Sequence, residues 1–472
     1  MYQGIHCCKK SGRVWILDDK AGLIKSELEP YYYGYRKSGR GTYTSIHGDK
    51  LEKVVINPWE NNHVNLFESD VPIETRVLVD VYGESDEPST GNKVMMLDIE
   101  VSTEGGFPDI KKADKEITAI SIYDQLKDMY FSFILDKNNL VKDVTEKSVM
   151  IKAFRDEEGL LKSFVKKYKE ISPTIITGWN TDYFDVPYLI HRLNVIFGET
   201  TANILSPIGI ISYNKFQGKY KIGCVSSLDY LLLYKRFSGT NEPNYRLDSI
   251  GRKEVNMGKI EYEGTLDKLL ENDINKFIEY NLNDVKIIKA LDEKLQFIDL
   301  ARSICHVGHV SYEDFHVSSR FLEGAILAYL KKNHLIAPNK PVGGRESYEQ
   351  KLEDDEEGYS GAYVKDPIPG KYEWIFDLDL TSLYPSIIMS LNISPETKIS
   401  VIKNWNAESY IKNNLPTIQF RDDYSMPDMS IDEFKKFLID KNYSVSSNGV
   451  LYSQPKKHVV GKIKEWKDST HL

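Results

Sequence analysis

Asp98 and Glu100 stand one residue apart in the run Val94-Met95-Met96-Leu97-Asp98-Ile99-Glu100-Val101. An apolar stretch of this length, bounded by Glu87-Pro88-Ser89-Thr90-Gly91-Asn92 and by Gly105-Gly106, predicts a strand buried on both faces. Side chains alternate along a strand, so the two carboxylates share a face. In an apolar setting they repel each other and resist the loss of water. A hard divalent cation with oxygen ligands, Mg²⁺ or Mn²⁺, would satisfy both. The pair fits equally a strand end whose acids reach solvent. A third acid follows in Thr177-Gly178-Trp179-Asn180-Thr181-Asp182-Tyr183-Phe184-Asp185-Val186-Pro187, which passes from strand through a polar turn into a helix. Pro187 suits a first helical turn. Asp185 then stands at a helix start just past a strand end, where α/β sheets build ligand sites. A fourth, Asp284, lies four residues after Tyr280 on a helix with apolar Ile274, Phe277, Ile278, Val285, Ile288 and Leu291. Residues at that spacing share a face, and a phenol there can place a water beside a metal.

The elements that must position these groups come from a chain of 472 residues, enough for two or three domains. Hydrophobic content of 41% and charged content of 28% are ordinary for a globular protein. No run of 18 apolar residues predicts a membrane span, and the first residues lack a signal-peptide pattern. The 4 cysteines, two of them adjacent, make no disulfide framework and fit a reducing cytoplasm. The net charge of −9 argues against blanket binding to nucleic acid, so any such contact needs local basic grooves or acid-held metals.

Residues 1–97 read as a β-rich lobe. Within it, Tyr31 to Tyr43 interleaves aromatics with cations. That pattern fits base stacking or, on strand propensity, tyrosines packed on one face. From 98 to 300 the pattern is mixed α/β, with strands at Ile117–Tyr123, Tyr130–Leu135 and Pro173–Asn180, a helix at Leu160–Tyr168 and a hairpin at Tyr213–Lys221. The hairpin's three lysines could track a nucleic-acid backbone or be solvated edge residues. Residues 301–358 read as helix, then linker, ending in the acid run Glu353–Glu357. Cys305, His306 and His309 lack a second ligand pair nearby, and a packing role is expected.

The three acidic stretches together resemble the proofreading exonuclease of family B DNA polymerases, most closely the tailed-phage replicative type. That family combines an Asp-x-Glu strand, an Asn-x-x-x-Phe-Asp turn and a Tyr-x-x-x-Asp helix. Here these are Asp98 with Glu100, Asn180 to Asp185, and Tyr280 with Asp284, in matching order and spacing. The resemblance implies a ribonuclease H-like α/β domain within a mixed multidomain chain. It also implies a two-metal 3′→5′ exonuclease, with Asp98, Glu100, Asp185 and Asp284 holding two Mg²⁺ or Mn²⁺ ions about 3.5–4 Å apart and Tyr280 orienting a water. The substrate implied is a single-stranded 3′ end. Phe107, Asn180 and Phe184 are implied as DNA-contacting residues. Trp179 and Phe184 are further candidates to stack on bases and equally fit core packing.

Trp374 to Ile388 resembles the family's polymerase motif Asp-x-x-Ser-Leu-Tyr-Pro-Ser-Ile from Asp379 onward, read as a strand, a turn and a helix. By that resemblance Asp379 and the Leu380 carbonyl would hold metals, Ser382 and Leu383 would cradle a triphosphate, and Tyr384 would exclude a 2′ hydroxyl. Tyr359 and Gly361 resemble a loop that touches template backbone, although Ala362 replaces its second glycine. No fingers motif and no second palm Asp-Thr-Asp follow, so 359–472 reads as a partial palm. Polymerisation on a primer-template with deoxynucleotides is expected only with a separate C-terminal polypeptide, or else the sequence is a truncation. The expected location is the cytoplasm, the host's for a viral protein. The competing expectations are an idle DNA-binding subunit that scaffolds a polymerase, and a free-standing nuclease.

Overall fold

Met96 and Met95 face opposite ways along the Val94–Val101 strand, and each is buried in a different apolar cluster. That alternation is the physical content of a two-faced buried strand. In the computed structural model, which describes residues 1–59, 65–146, 148–215, 217–340, 365–415, 417–420 and 427–454, this strand lies inside a seven-stranded sheet. It pairs antiparallel with Ile117–Asp124 and parallel with Ile175–Thr177, so backbone groups on both sides have partners. Ile117–Asp124 pairs antiparallel with Met129–Leu135, which runs parallel to Val149–Phe154. The short strands Val144–Thr145 and Ser226–Ser227 close the two edges.

One face of the sheet packs on the helix Glu157–Ile171 and the helix Asp185–Phe197 through Met95, Leu97, Ile99, Phe164 and Leu189. The other face, led by Val94 and Met96, packs on the long helix Ile274–Leu295 through Phe277, Leu282 and Val285. Asp98 and Glu100 continue the Val94 and Met96 row, so they point toward that helix.

The helix read at Leu160–Tyr168 is longer than its apolar core, because Asp156 caps its start, accepting from the Gly159 N–H at 2.7 Å, and Ser172 ends it with φ of 49°. The strand read at Pro173–Asn180 keeps three residues, Ile175–Thr177. Its remainder becomes the turn that carries Asp185.

The chain divides into two compact units, residues 1–36 with 52–339 and residues 37–51 with 340–472. In the first, Tyr2–Cys8, Arg13–Asp18 and Gly22–Glu27 form an antiparallel meander. The buried Tyr2 hydroxyl lies 2.8 Å from the Cys305 carbonyl and 2.7 Å from the Val310 carbonyl. Tyr33 and Tyr35 are buried and meet edge-on at 5.7 Å, with the Arg76 guanidinium 4.3 Å above Tyr33, so these two tyrosines pack rather than stack bases. His306 accepts from the Ser89 N–H at 3.0 Å and lies 2.8 Å from the Tyr312 hydroxyl, a packing role. Within 301–358, helical spacing over Phe315–Asn333 is matched by a helix at Ser318–Lys332.

In the second unit, Lys398–Val401, Val450–Ser453 and Tyr443–Val445 form an antiparallel sheet. The helix Ile431–Lys441 packs Phe434 into a small core with Ile402, Ile418 and Leu451. Its start is a capping box in which Ser430 and Glu433 exchange hydrogen bonds. The helix read after Asp379 is present as Leu383–Leu391, and Ser382 precedes it with φ of 54°. The strand read at Trp374–Asp379 is not formed. A strand needs a neighbour for its N–H and C=O groups, and these residues pair with none of the described residues. Trp374 is 95% exposed and Phe376 81%. The acid run at 353–357, the residues Tyr359 and Gly361, and the tail from 455 lie outside the described residues.

Candidate active site

Helix Ile274–Leu295 crosses the sheet face that bears Asp98 and Glu100. Its start is capped by Asp273, which accepts from the Lys276 N–H at 3.0 Å. Its apolar residues fix its rotation, and Tyr280, Asn281 and Asp284 therefore turn inward, all buried. The Asn281 amide donates to Asp98 Oδ2 at 2.7 Å and fixes that carboxylate's orientation. Carboxylate oxygens of Asp98, Glu100 and Asp284 all lie within 4.8 Å of one another. The face-sharing expected of both pairs holds, and the fold adds that the two faces meet.

Asp185 arrives from the far end of the neighbouring strand. After Thr177 the chain turns at Gly178, where a Cβ would lie 2.4 Å from the Leu97 carbonyl oxygen, and at Asn180, whose φ is 65°. The buried Asp229 carboxylate accepts the Asn180 and Asp182 N–H groups at 3.1 and 3.2 Å. The turn delivers Asp185 to the start of its helix, where its Oδ1 accepts the Ile99 N–H at 3.0 Å. Ile99 sits between Asp98 and Glu100, so the fourth acid is tied to the strand of the first two.

Lys259 carried no signal in the sequence, being a lone lysine in the loop Met257-Gly258-Lys259. Two hydrogen bonds hold that loop against the site. The Asn283 amide donates to the Gly258 carbonyl at 2.9 Å, and the Lys259 N–H donates to Asp248 at 2.7 Å. The ammonium forms an ion pair with Asp284 and donates to the Tyr280 hydroxyl at 3.2 Å. The Tyr280 ring meets Tyr262 edge-on at 5.2 Å.

Burial dominates the electrostatics. It holds Asp98 well above the ordinary carboxylate range, with the charges of Asp284, Glu100 and Asp185 acting in the same sense. Burial pushes Glu100 up to about 8 against the pull of Lys259, and Asp185 up to about 7 against its Ile99 hydrogen bond. Asp284 is raised by burial, and Lys259 opposes the shift. Burial works against the Lys259 ammonium, yet Asp284 and Asp98 hold its pKa above the usual value. One ammonium leaves this group of acids strongly under-neutralised. Asp284 Oδ1 is buried with no hydrogen-bond partner. An all-oxygen donor set, mutual repulsion and an orphaned carboxylate oxygen together fit a hard divalent cation.

The other expected site residues have different settings. Phe107 is 95% exposed on the loop after Val101. Phe184 is half-buried and stacks on Tyr188 with centroids 5.9 Å apart. Trp179 is held in packing, its indole N–H donating to the Tyr245 carbonyl at 3.0 Å. Of the hairpin lysines, Lys215 is exposed, but Lys219 is buried against Asp182 at 3.0 Å and Lys221 pairs with Glu74 at 2.7 Å. These two do not form a backbone track. Asp379, Leu380, Ser382, Leu383 and Tyr384 are all exposed in the second unit.

The exonuclease domain of DNA polymerase family B matches residues 54–250, and the DNA polymerase family B model matches residues 315–441. This chain belongs to DNA polymerase family B. It is 34% identical over 347 residues to the DNA-directed DNA polymerase of Escherichia phage RB69, covering 68% of this chain and 37% of that protein. It is 31% identical over 398 residues to that of Enterobacteria phage T4, covering 78% and 40%. DNA polymerase 1 of Sulfurisphaera ohwakuensis is 27% identical, covering 77% and 39%. The family B chain thus spans well under half the length of these relatives. Its exonuclease match ends before Tyr280 and Asp284, and it is the fold that brings Asp284 to Asp98 and Glu100. No described helix is long and apolar enough to cross a membrane.

Proposed function

We propose that this family B chain is the N-terminal part of a replicative DNA polymerase. It carries a 3′→5′ exonuclease that removes single nucleotides from a single-stranded DNA 3′ end. The meeting of Asp98, Glu100 and Asp284 carboxylate oxygens within 4.8 Å carries this reading. In it, Asp98, Glu100, Asp185 and Asp284 hold two Mg²⁺ ions, or Mn²⁺. Bound there, the ions supply the positive charge that makes a water acidic and neutralises the departing 3′ oxygen.

The chain's own residues do the rest. Tyr280 orients the attacking water through its hydroxyl. Lys259 fixes that hydroxyl and pairs with the Asp284 carboxylate. Asn281 holds Asp98 in one rotamer. The exposed ring of Phe107, with Phe184 and the Asn180 turn, takes the splayed terminal base and sugar. Unpairing the end has a cost in stacking, which favours mismatched or single-stranded termini.

In this reading the second unit supplies the segment Trp374–Asp379 and the helix Leu383–Leu391 of a palm, with Asp379 and the Leu380 carbonyl as metal ligands. Ser382, Leu383 and Tyr384 bind the incoming deoxynucleotide, and Tyr359 with Gly361 touches the template. The exposure of Trp374, Ile375, Phe376 and Leu378 supports a covering polypeptide, the C-terminal part of the polymerase, needed for synthesis on a primer-template. The four free cysteines suit a reducing cytoplasm, the host's for a phage protein. An idle scaffold has no need of a cluster of acids that repel one another, two of them, Asp185 and Asp284, buried.

Polarity and metal dependence test the exonuclease. With Mg²⁺, a 5′-labelled single strand should shorten stepwise to a ladder, and a chelator should stop the reaction. Release of the label as mononucleotide without a ladder, which marks attack from the 5′ end, or a ladder indifferent to chelator, would refute the proposal.

A further inference from the structure

Lys219 stands at the loop end of the hairpin Ile211–Asn214 and Lys219–Ile222, opposite Asn214. It is 5% exposed, an unusual burial for a lysine, and its ammonium donates to Asp182 Oδ2 at 3.0 Å. Asp182 is itself 3% exposed, and its other carboxylate oxygen accepts from the Ser227 hydroxyl. Its N–H is held at 3.2 Å by Asp229, which also holds the Asn180 N–H at 3.1 Å and caps the helix Tyr230–Phe237. Asp182 therefore lies inside the turn that ends on Asp185, clamped on its side chain from the hairpin and on its backbone from Asp229.

The same hairpin has two more ties. Tyr220 lies 2.6 Å from His191 Nε2, on the helix that Asp185 begins. Lys221 pairs with Glu74 of the helix Ile73–Tyr82 at 2.7 Å. Glu313, 8% exposed, accepts the Ser227 N–H at 3.3 Å and faces both lysines. A solvated hairpin needs none of these contacts. Their sum ties the Lys219–Ile222 strand to the turn and its neighbours, while Lys215 in the loop stays exposed.

We propose that Lys219 is a positioning residue for the exonuclease: through Asp182 it sets the turn that places the Asp185 carboxylate, so hairpin and acid site move as one body. This rests on the exonuclease reading above, and the test separates the two. Lys219→Met and Lys219→Arg are compared with the unaltered chain for hydrolysis of a single-stranded oligonucleotide, and for binding of Mn²⁺ to metal-free protein by electron paramagnetic resonance. Removing a group that orients a metal ligand typically weakens metal affinity or activity by about 10–100-fold. Lys219→Met is expected to lower kcat by about that factor with KM within about 3-fold, and to weaken Mn²⁺ binding in parallel. Lys219→Arg, which keeps the ion pair, should recover most of both.

A folded Lys219→Met that matches the unaltered chain in kcat and Mn²⁺ affinity overturns the proposal. A loss confined to KM does so too, because it marks direct contact with DNA. Should Lys219→Met fail to fold, Ser227→Ala removes the second bond to Asp182 without leaving a buried charge unpaired, and the same two readouts must fall. If the unaltered chain hydrolyses nothing, the exonuclease reading fails, while the Mn²⁺ comparison still decides the role of Lys219.

Discussion

The Ile99 N–H donates to Asp185 Oδ1 at 3.0 Å, so the helix that Asp185 begins is pinned to the strand between Asp98 and Glu100. The bond uses one carboxylate oxygen for structure. Asp185→Asn keeps an acceptor there and removes the charge, whereas Asp185→Ala orphans a buried N–H. The Ala form should be less stable than the Asn form by about 1–3 kcal/mol, read by urea unfolding of metal-free protein. Both should lose nuclease activity. Equal stability would mean that the bond does not hold the strand to the helix.

Stability should depend on pH in an unusual direction when metal is absent. Unfolded carboxyls titrate near about 4. In the fold, Glu100 titrates at about 8 and Asp185 at about 7, and burial raises Asp229 and Asp292 to about 6. The folded chain therefore holds protons that the unfolded chain has lost, and stability falls as pH rises through that window. Thermal unfolding in chelator should show a lower Tm at pH 8.5 than at pH 5.5. Added Mg²⁺ should raise the Tm mainly at the higher pH, where the acids are free to bind it. A metal-free Tm that climbs between those two conditions contradicts the assignment.

Tyr280 and Lys259 should separate in their effects. Tyr280→Phe removes a hydroxyl that accepts from Lys259 at 3.2 Å and leaves the ring packed on Tyr262. Its kcat should fall about 10–100-fold, the scale of a misplaced reacting group, with little change in KM. Lys259→Met removes the charge beside Asp284 as well, so it should also lower metal-free stability at pH 8.5. Steady-state kinetics and thermal unfolding of the two variants report both effects.

Gly178→Ala tests the turn. The added methyl would lie 2.1 Å from Thr181 Oγ1 and 2.4 Å from the Leu97 carbonyl oxygen, so backbone must move. The expected loss is about 1–3 kcal/mol of stability, together with activity, because the displaced turn carries Asp185. Urea unfolding that matches the unaltered chain would show that the approach is not needed.

What could be read from sequence follows the range of the interaction. Period-two alternation placed Asp98 and Glu100 on one face, and helical spacing did the same for Tyr280 and Asp284, because both are local backbone geometry. Lys259 reaches Asp284 across 25 residues of sequence from an irregular loop, and no periodicity marks such a meeting. Asn281 was visible as a neighbour of Tyr280 but had no sign of its bond to Asp98. The hairpin at Lys219 and Lys221 was legible as a hairpin. The burial of its lysines was not, since their partners Asp182 and Glu74 come from distant segments. Trp374 to Asp379 reads as a strand by composition, yet β-propensity reports fit to a sheet that must already be there.

The most direct measurement compares release of the terminal nucleotide from a 3′-labelled single strand by the unaltered chain and by the Asp98→Ala, Glu100→Ala double variant, in Mg²⁺ at pH 8. The account predicts labelled mononucleotide from the unaltered chain and a rate on the order of 10³-fold lower from the folded double variant. Equal release by the two proteins would contradict it.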